Sequence, residues 1–365
     1  MIMEKETIAL IELGGSHDEC LYSQVLFLKK YGLRVHVILF EDHLSHMDAY
    51  PEVDVWKSYK KPGGWLAEWK LVFHLLVYLK QHGIRKAVLN TAEGNLIRKL
   101  SLAAGSHTAF TGIIHLSSKL RTSRSQKIIS RRISKYFVLA DFIKENMEKS
   151  RTGVSIESFY PIYFPAGKAS GAVHYQDYQI CVPGAVDFAR RDYQSLLDEM
   201  QSAEIPSGVK FVLLGRTSNK DGQELKAMIR ESGLEEHFTL FDGFIPHEQF
   251  YEHLKKARLV LPLITPHCKD FADYMDYKIT GSFNLAYGFG HPMLQHESFA
   301  GTRIYRETSV FYRDGGLFET VNQCMKDPDG LNTVKKRIED LPEFQFEYQA
   351  EKYIHFIYGK GHSLP

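Results

Sequence analysis

The chain has 365 residues, 44% of them hydrophobic and 24% charged, with 45 Lys and Arg against 44 Asp and Glu and a net charge of +1. That length exceeds what one hydrophobic core usually serves and implies two domains of about 150 to 200 residues, while the apolar content excludes global disorder. A balanced charge offers no basic excess for a polyanion, so no nucleic-acid partner is expected.

The four cysteines, Cys20, Cys181, Cys268 and Cys324, stand far apart with no C-x-x-C spacing. This removes zinc-ribbon and redox-motif readings and suits a reducing compartment, where a thiol acts as a small hydrophobe. No run of about 18 apolar residues occurs, and the opening residues offer no signal-type apolar region, so a cytoplasmic location is expected.

Residues 8–13 form a short apolar run ending at Gly14-Gly15-Ser16-His17, followed by apolar residues at helical spacing over 22–31 and a second buried-type strand over 35–40. This is a β-α-β unit with a glycine turn after its first strand. A helix over 65–82 closes on Gly83, a strand over 86–89 runs out into Asn90-Thr-Ala-Glu93-Gly94, and a strand over 108–115 precedes a basic helix over 123–134 and a strand over 136–139. Residues 161–176, with two prolines and two glycines, break the periodicity and read as a linker. The alternation then restarts with strands over 179–182, 209–214, 238–241, 259–264 and 292–294, separated by helices over 193–201, 224–232, 247–256 and 281–287. Strands alternating with helices imply two α/β domains, each with a parallel sheet covered on both faces. The boundaries read as residues 1–160, linker 161–176, residues 177–343, and an aromatic-rich terminal helix in 344–365 that must dock on something.

Ligands of open parallel sheets collect at the carboxyl ends of the strands. In the second half those ends are Pro183-Gly184, Gly215-Arg216, Asp242-Gly243-Phe244 and Lys278-Ile-Thr280-Gly281-Ser282. Thr280, Gly281 and Ser282 open a helix, so their free N–H groups, the helix dipole and nearby Lys278 would hold a diphosphate; the plain alternative is an ordinary helix cap beside a solvated lysine. Arg190 and Arg191 are spaced to reach a phosphate over Gly184, or else pair with Asp187 and Asp192 on the surface. Arg216 is open to the same two readings. In the first half, Gly14 to His17 lack dinucleotide-fingerprint spacing. His115 and Glu93 are ionisable groups at strand ends that would serve as base or sugar contacts, His115 being equally readable as a structural histidine. Asp270, Asp273 and Asp276, near His267 and Cys268, read as solvated loop charge, and no metal site is expected. The basic run Arg121, Arg124, Lys127, Arg131 and Arg132 reads as a solvated face open to anionic lipid headgroups.

The second half resembles the donor-binding domain of GT-B glycosyltransferases of the family 4-like group. The resemblance rests on Val182-Pro-Gly184 followed by Arg190-Arg-Asp-Tyr193, on Lys210-Phe-Val-Leu-Leu-Gly215, on Phe238-Thr-Leu-Phe-Asp-Gly-Phe244, and on Tyr277-Lys-Ile-Thr-Gly-Ser282 running to Pro292. It implies two Rossmann-like domains facing each other across a cleft, with the last helix returning to the N-terminal one. It also implies transfer of a sugar from a nucleoside-diphosphate sugar to a hydroxyl on a glycan or lipid-linked acceptor, with no cofactor. Gly184, Arg190 and Arg191, Gly215, Arg216, the backbone around Phe244, Lys278 and Thr280 to Ser282 would hold the donor, and Gly14 to His17 with His115 and Glu93 would face sugar or acceptor. The family's glutamate pair is absent, with Tyr277 and Leu285 in its places. A nucleotide-sugar epimerase of the same architecture and a non-catalytic binding protein are the alternatives.

Overall fold

The apolar runs do become strands, because a segment buried on both faces of a parallel sheet needs side chains that lose nothing by leaving water. The computed structural model describes residues 5–15, 17–44, 50–150, 152–165 and 177–359. Two compact units result: one from the chain up to Pro165 with Asp276–Ile279 and the residues from Phe346 on, the other from the remaining residues.

In the first unit the strands are β1 (Thr7–Glu12), β2 (Arg34–Phe40), β3 (Val55–Tyr59), β4 (Lys86–Leu89), β5 (Ala109–Ile113), β6 (Lys135–Val138) and β7 (Ser155–Ser158). All pair in parallel, in the order β3-β2-β1-β4-β5-β6-β7. The order reverses between β1 and β4, which makes the carboxyl ends of those two strands the switch point where open sheets bind ligands. The terminal helix Phe346–Tyr358 packs on the Leu21–Lys30 helix of this unit. Its Tyr353, fully buried, stacks on Phe137 with ring centroids 4.6 Å apart and sits near Phe159 and Phe27. Each such side chain taken from water contributes about 1.5 to 3 kcal/mol. Of the expected linker, Ile162 and Phe164 are buried in this unit and Ser23 exchanges two hydrogen bonds with the Tyr163 backbone; residues 166–176 lie outside the described residues. The expected basic helix over 123–134 is shorter, spanning Arg124–Ile129.

The second unit holds β8 (Tyr178–Pro183), β9 (Val209–Arg216), β10 (Phe238–Phe241), β11 (Leu259–Val260), β12 (Met293–His296) and β13 (Ser309–Tyr312). They too are parallel, ordered β10-β9-β8-β11-β12-β13, with the switch point between β8 and β11. At the end of β9, Gly215 is pressed against the turn that follows β8. A Cβ there would stand 2.1 Å from the Gly184 carbonyl oxygen, inside any allowed contact.

Gly215→Ala is therefore expected to lower stability by about 1 to 3 kcal/mol, as overpacking does. Gly243→Ala, with open space around it, should stay within about 0.5 kcal/mol of the parent. Urea denaturation of the two variants tests this, and equal midpoints would refute the close approach.

Candidate functional site

In the first unit, β1 is apolar from Ile8 to Ile11 and ends on Glu12. Glu12 has no exposed surface, and its carboxylate accepts hydrogen bonds from the Gly14 N–H (2.6 Å), Asn90 Nδ2 (2.6 Å) and Thr91 Oγ1 (2.8 Å). Burial pushes the Glu12 pKa up against the opposing effect of these donors. Asn90, at the end of β4, donates also to the His17 carbonyl (2.7 Å) and accepts from Gln24 Nε2 (2.6 Å), and Gln24 Oε1 accepts from Tyr353 OH (2.8 Å). A continuous buried polar chain thus runs from the terminal helix to the glycine turn after β1. Composition gave no sign of it, although a lone glutamate closing an apolar strand is the signal that marks it.

That turn carries the residues expected to face sugar or acceptor. Gly14 and Gly15 are exposed, and Ser16 lies outside the described residues. The His17 ring stacks on the His115 ring, centroids 3.6 Å apart and planes within 8°. His115 Nε2 lies 2.7 Å from the Asn90 carbonyl oxygen. A carbonyl only accepts, so Nε2 carries the proton and Nδ1 of the neutral ring keeps its lone pair. Burial, and then the neighbouring His17 charge, hold the His115 pKa down at about 4. Burial also acts to lower His17, but the Glu19 carboxylate 3.4 Å from Nδ1, with Glu12 and Glu93 beyond it, outweighs that and raises its pKa. Glu93 is engaged: it accepts from the His115 N–H (2.9 Å) and the Leu116 N–H (3.3 Å) and pairs with Lys119. It fixes the loop that carries His115.

In the second unit the two adjacent arginines part company. Arg190 is exposed and paired with Asp187 at 3.2 Å. Arg191 is buried, its guanidinium donating to the Pro183 and Pro262 carbonyls and lying 3.5 Å from Ser282 Oγ. Ser282 Oγ itself donates to the Pro183 carbonyl (3.1 Å). Arg191 and Ser282 therefore clamp the first turn of the Gly281–Phe289 helix onto the end of β8, beside the switch point. Gly184 has φ of 107° there, and a Cβ on it would meet the Arg191 guanidinium at 2.5 Å, so only glycine fits the turn. Thr280 caps the helix with extended backbone and no side-chain cap bond. Arg216 is exposed at the end of β9, and Phe244 is 58% exposed with its ring 5.8 Å from that of His247. Lys278 and Tyr277 belong to the first unit: the Tyr277 carbonyl accepts from Ser117 N (3.1 Å) and its hydroxyl from Arg121 (3.1 Å). Asp276 accepts from Asn146 (3.2 Å), and among the described residues no three His, Cys, Asp or Glu gather as a metal site. A cavity of about 480 Å³ in this unit is lined by Asp192, Asp198, Glu199, Asp314 and Tyr312 and by none of the expected donor residues. Its acidic walls do not suit a diphosphate.

Comparison with solved structures follows the fold. The chain is similar to HepE of Anabaena in complex with UDP-glucose (14% identity, 95% of this chain and 98% of that one, TM-score 0.67). It is also similar to the lipopolysaccharide outer core galactosyltransferase WaaB (16%, 97% and 99%, 0.58). A third similar structure is a putative UDP-N-acetylglucosamine 2-epimerase from Listeria monocytogenes (11%, 96% and 95%, 0.59). Neither a family model nor a curated protein sequence matches. The two parallel-sheet, Rossmann-like units with the returning terminal helix are the GT-B fold that these structures share.

With the His115 pKa near 4 against an ordinary 6.5, the unfolded chain takes up a proton between those values that the native chain refuses. The group's contribution to stability is complete above pH 6.5 and is lost as pH falls toward 4. In an NMR titration the His115 ring should stay neutral down to about pH 4 while His17 titrates above its ordinary value. His115→Asn should flatten the fall of stability between pH 6.5 and 4. A His115 midpoint near 6.5 would contradict the stacked geometry.

Proposed function

We propose that the protein is a glycosyltransferase that moves a sugar from a nucleoside-diphosphate sugar to a hydroxyl acceptor on a glycan or lipid-linked sugar. One observation carries the reading: at the switch point of the second unit, the Gly184 turn and the first turn of the Gly281–Phe289 helix are locked together by Arg191 and Ser282. The helix start thus offers N–H groups and its positive dipole end at the place where a parallel sheet binds ligands. UDP-glucose in HepE, which shares the fold, supports a nucleotide-sugar donor.

On this reading the leaving diphosphate is met by main-chain amides of Thr280 to Ser282 and by Arg190, Arg216 and Lys278, so its charge is stabilised by fixed donors without a metal or other cofactor. Gly184 and Gly215 let the phosphates approach the backbone, and the backbone about Phe244 receives the base. Arg191 acts through the turn it clamps. In the first unit, His115 Nδ1 accepts from a sugar or acceptor hydroxyl, Glu93 and His17 position that imidazole, and Gly14 and Gly15 border the acceptor. Contact of the basic residues Arg121, Arg124, Lys127 and Arg131 with anionic headgroups, on the inner face of a membrane, belongs to the same proposal. Arg132 is withdrawn from that set, because its guanidinium is occupied by the carbonyls of Ala104, Gly105 and Thr108. The likeness to the epimerase keeps isomerisation as a second reading, which incubation of the donor alone, followed by product analysis, separates from transfer.

Calorimetry with UDP and GDP tests the donor site. Arg190→Ala combined with Lys278→Ala should weaken binding of the preferred nucleotide by a few kcal/mol, each charged contact contributing about 1.5 to 3. Unchanged affinity in the double variant would overturn the phosphate assignment.

A further inference from the structure

The near-zero net charge hides a strong local imbalance. Residues 55–140 contain 16 Lys and Arg but only two acidic residues, Glu68 and Glu93, and both of those are neutralised, by Lys99 and Lys119. The same stretch also carries large apolar side chains that the fold leaves uncovered. Of the six large apolar side chains most open to solvent among the described residues, four lie here: Trp65 (65% exposed), Leu66 (75%) and Phe73 (66%) on the Trp65–Gln81 helix, and Leu102 (64%) on the Gly94–Ala103 helix.

These side chains form one face. Leu66, Trp69, Lys70 and Phe73 recur at three- and four-residue spacing, opposite Leu71, Val72, Leu75 and Leu79, which are buried. Lys99, one turn before Leu102, holds its ammonium 5.2 Å from the Trp65 ring centre and 5.6 Å from that of Trp69, so the two helices meet there. The Gly94–Ala103 helix packs in turn on the Arg124–Ile129 helix, where Arg124 and Lys127 are exposed, as is Arg131 just after it. Lys60 and Lys61, just before the Trp65–Gln81 helix, and Lys70 on it are exposed as well.

We infer that this face is a membrane-docking surface: Trp65, Leu66, Phe73 and Leu102 enter the headgroup boundary of an anionic bilayer while the surrounding lysines and arginines lie against its phosphates. The physical argument is the pairing of the two features. A basic face alone suits any polyanion, and an apolar face alone suits any hydrophobic partner, but aliphatic and aromatic side chains framed by cations match the apolar interior and charged rim of a lipid interface. The inference deepens the headgroup contact proposed above for Arg121, Arg124, Lys127 and Arg131, and rests on the transferase reading in supplying a lipid-linked acceptor for such an enzyme to meet.

The test is sedimentation of the full chain with vesicles of phosphatidylcholine alone and of phosphatidylcholine with equal phosphatidylglycerol, alongside UDP calorimetry on the same samples. The parent should bind the anionic vesicles, with tryptophan emission shifted to the blue, and bind the neutral ones weakly. Leu66→Ser with Phe73→Ser should reduce binding about tenfold or more, each lost apolar contact being worth a good part of that, while far-UV circular dichroism and UDP affinity stay unchanged. Arg124→Glu with Lys127→Glu should reduce it as well and weaken its salt dependence. Anionic vesicles bound equally by parent and Leu66→Ser/Phe73→Ser variant would overturn the insertion. Binding of an RNA or DNA oligonucleotide in preference to vesicles would overturn the choice of partner. UDP binding without vesicle binding would sink this surface, and the headgroup contact with it, and leave the sugar-transfer reading standing; vesicle binding without UDP binding would do the reverse.

Discussion

Glu12 is the constraint on which the first unit is organised. A carboxylate with no exposed surface is costly unless donors surround it, and those donors come from three separate places: the glycine turn after β1, the end of β4, and, through Asn90 and Gln24, the terminal helix. Satisfying one buried group therefore fixes the spacing of the two strands at the switch point and the path of the turn that carries His17. It also ties in a helix more than 300 residues away in sequence. Removing Gln24 would leave Asn90 Oδ1 without its donor, and removing the Tyr353 hydroxyl would leave Gln24 Oε1 without its own; either change loosens the support of the end of β4, where the Asn90 carbonyl holds the His115 ring in its tautomer.

The second unit solves the same problem with the opposite charge. Arg191 is buried, and its guanidinium is satisfied by main-chain carbonyls at the ends of β8 and β11, so the cation is spent on the geometry of the turn. Its neighbour Arg190 keeps its head in water, paired with Asp187. Two adjacent identical residues thus take different parts, one buried in the turn after β8 and the other open to solvent. An arginine held by neutral carbonyls also keeps its charge, and that charge lies under the helix start where it adds to the dipole.

Much of this was legible in the residues. The buried strands β1, β2, β4, β8 and β9 show as predominantly apolar runs because both faces lose water, and the glycines closing β1, β8 and β9 mark the turns there. The strands that sequence reading passed over, β3, β7 and β13, are all sheet edges. Their side chains are half-buried and partly polar, as in Val55-Trp-Lys-Ser-Tyr59 and Ser155-Ile-Glu-Ser158, and an edge strand has no need of the apolar run by which a central one is known. The site was readable as far as position along the strand ends goes. The fates of Arg190 and Arg191, the stacking of His17 on His115 and the engagement of Glu93 were not, because each depends on which way a side chain turns once distant strands are side by side.

Charge illustrates the same limit at larger scale. A total of +1 describes the protein as seen from afar, but electrostatic attraction at physiological salt decays over about 8 Å, a distance that spans a helix or two. A surface meets only the charges within that range, and the Lys and Arg residues of 55–140 are offset by acidic residues that lie elsewhere in the sequence. Within the first unit the helices Trp65–Gln81, Gly94–Ala103 and Arg124–Ile129 pack one against the next, so residues that are scattered along the chain act as a single cationic field. Net charge constrains solubility; the packing order of helices decides what that charge can hold.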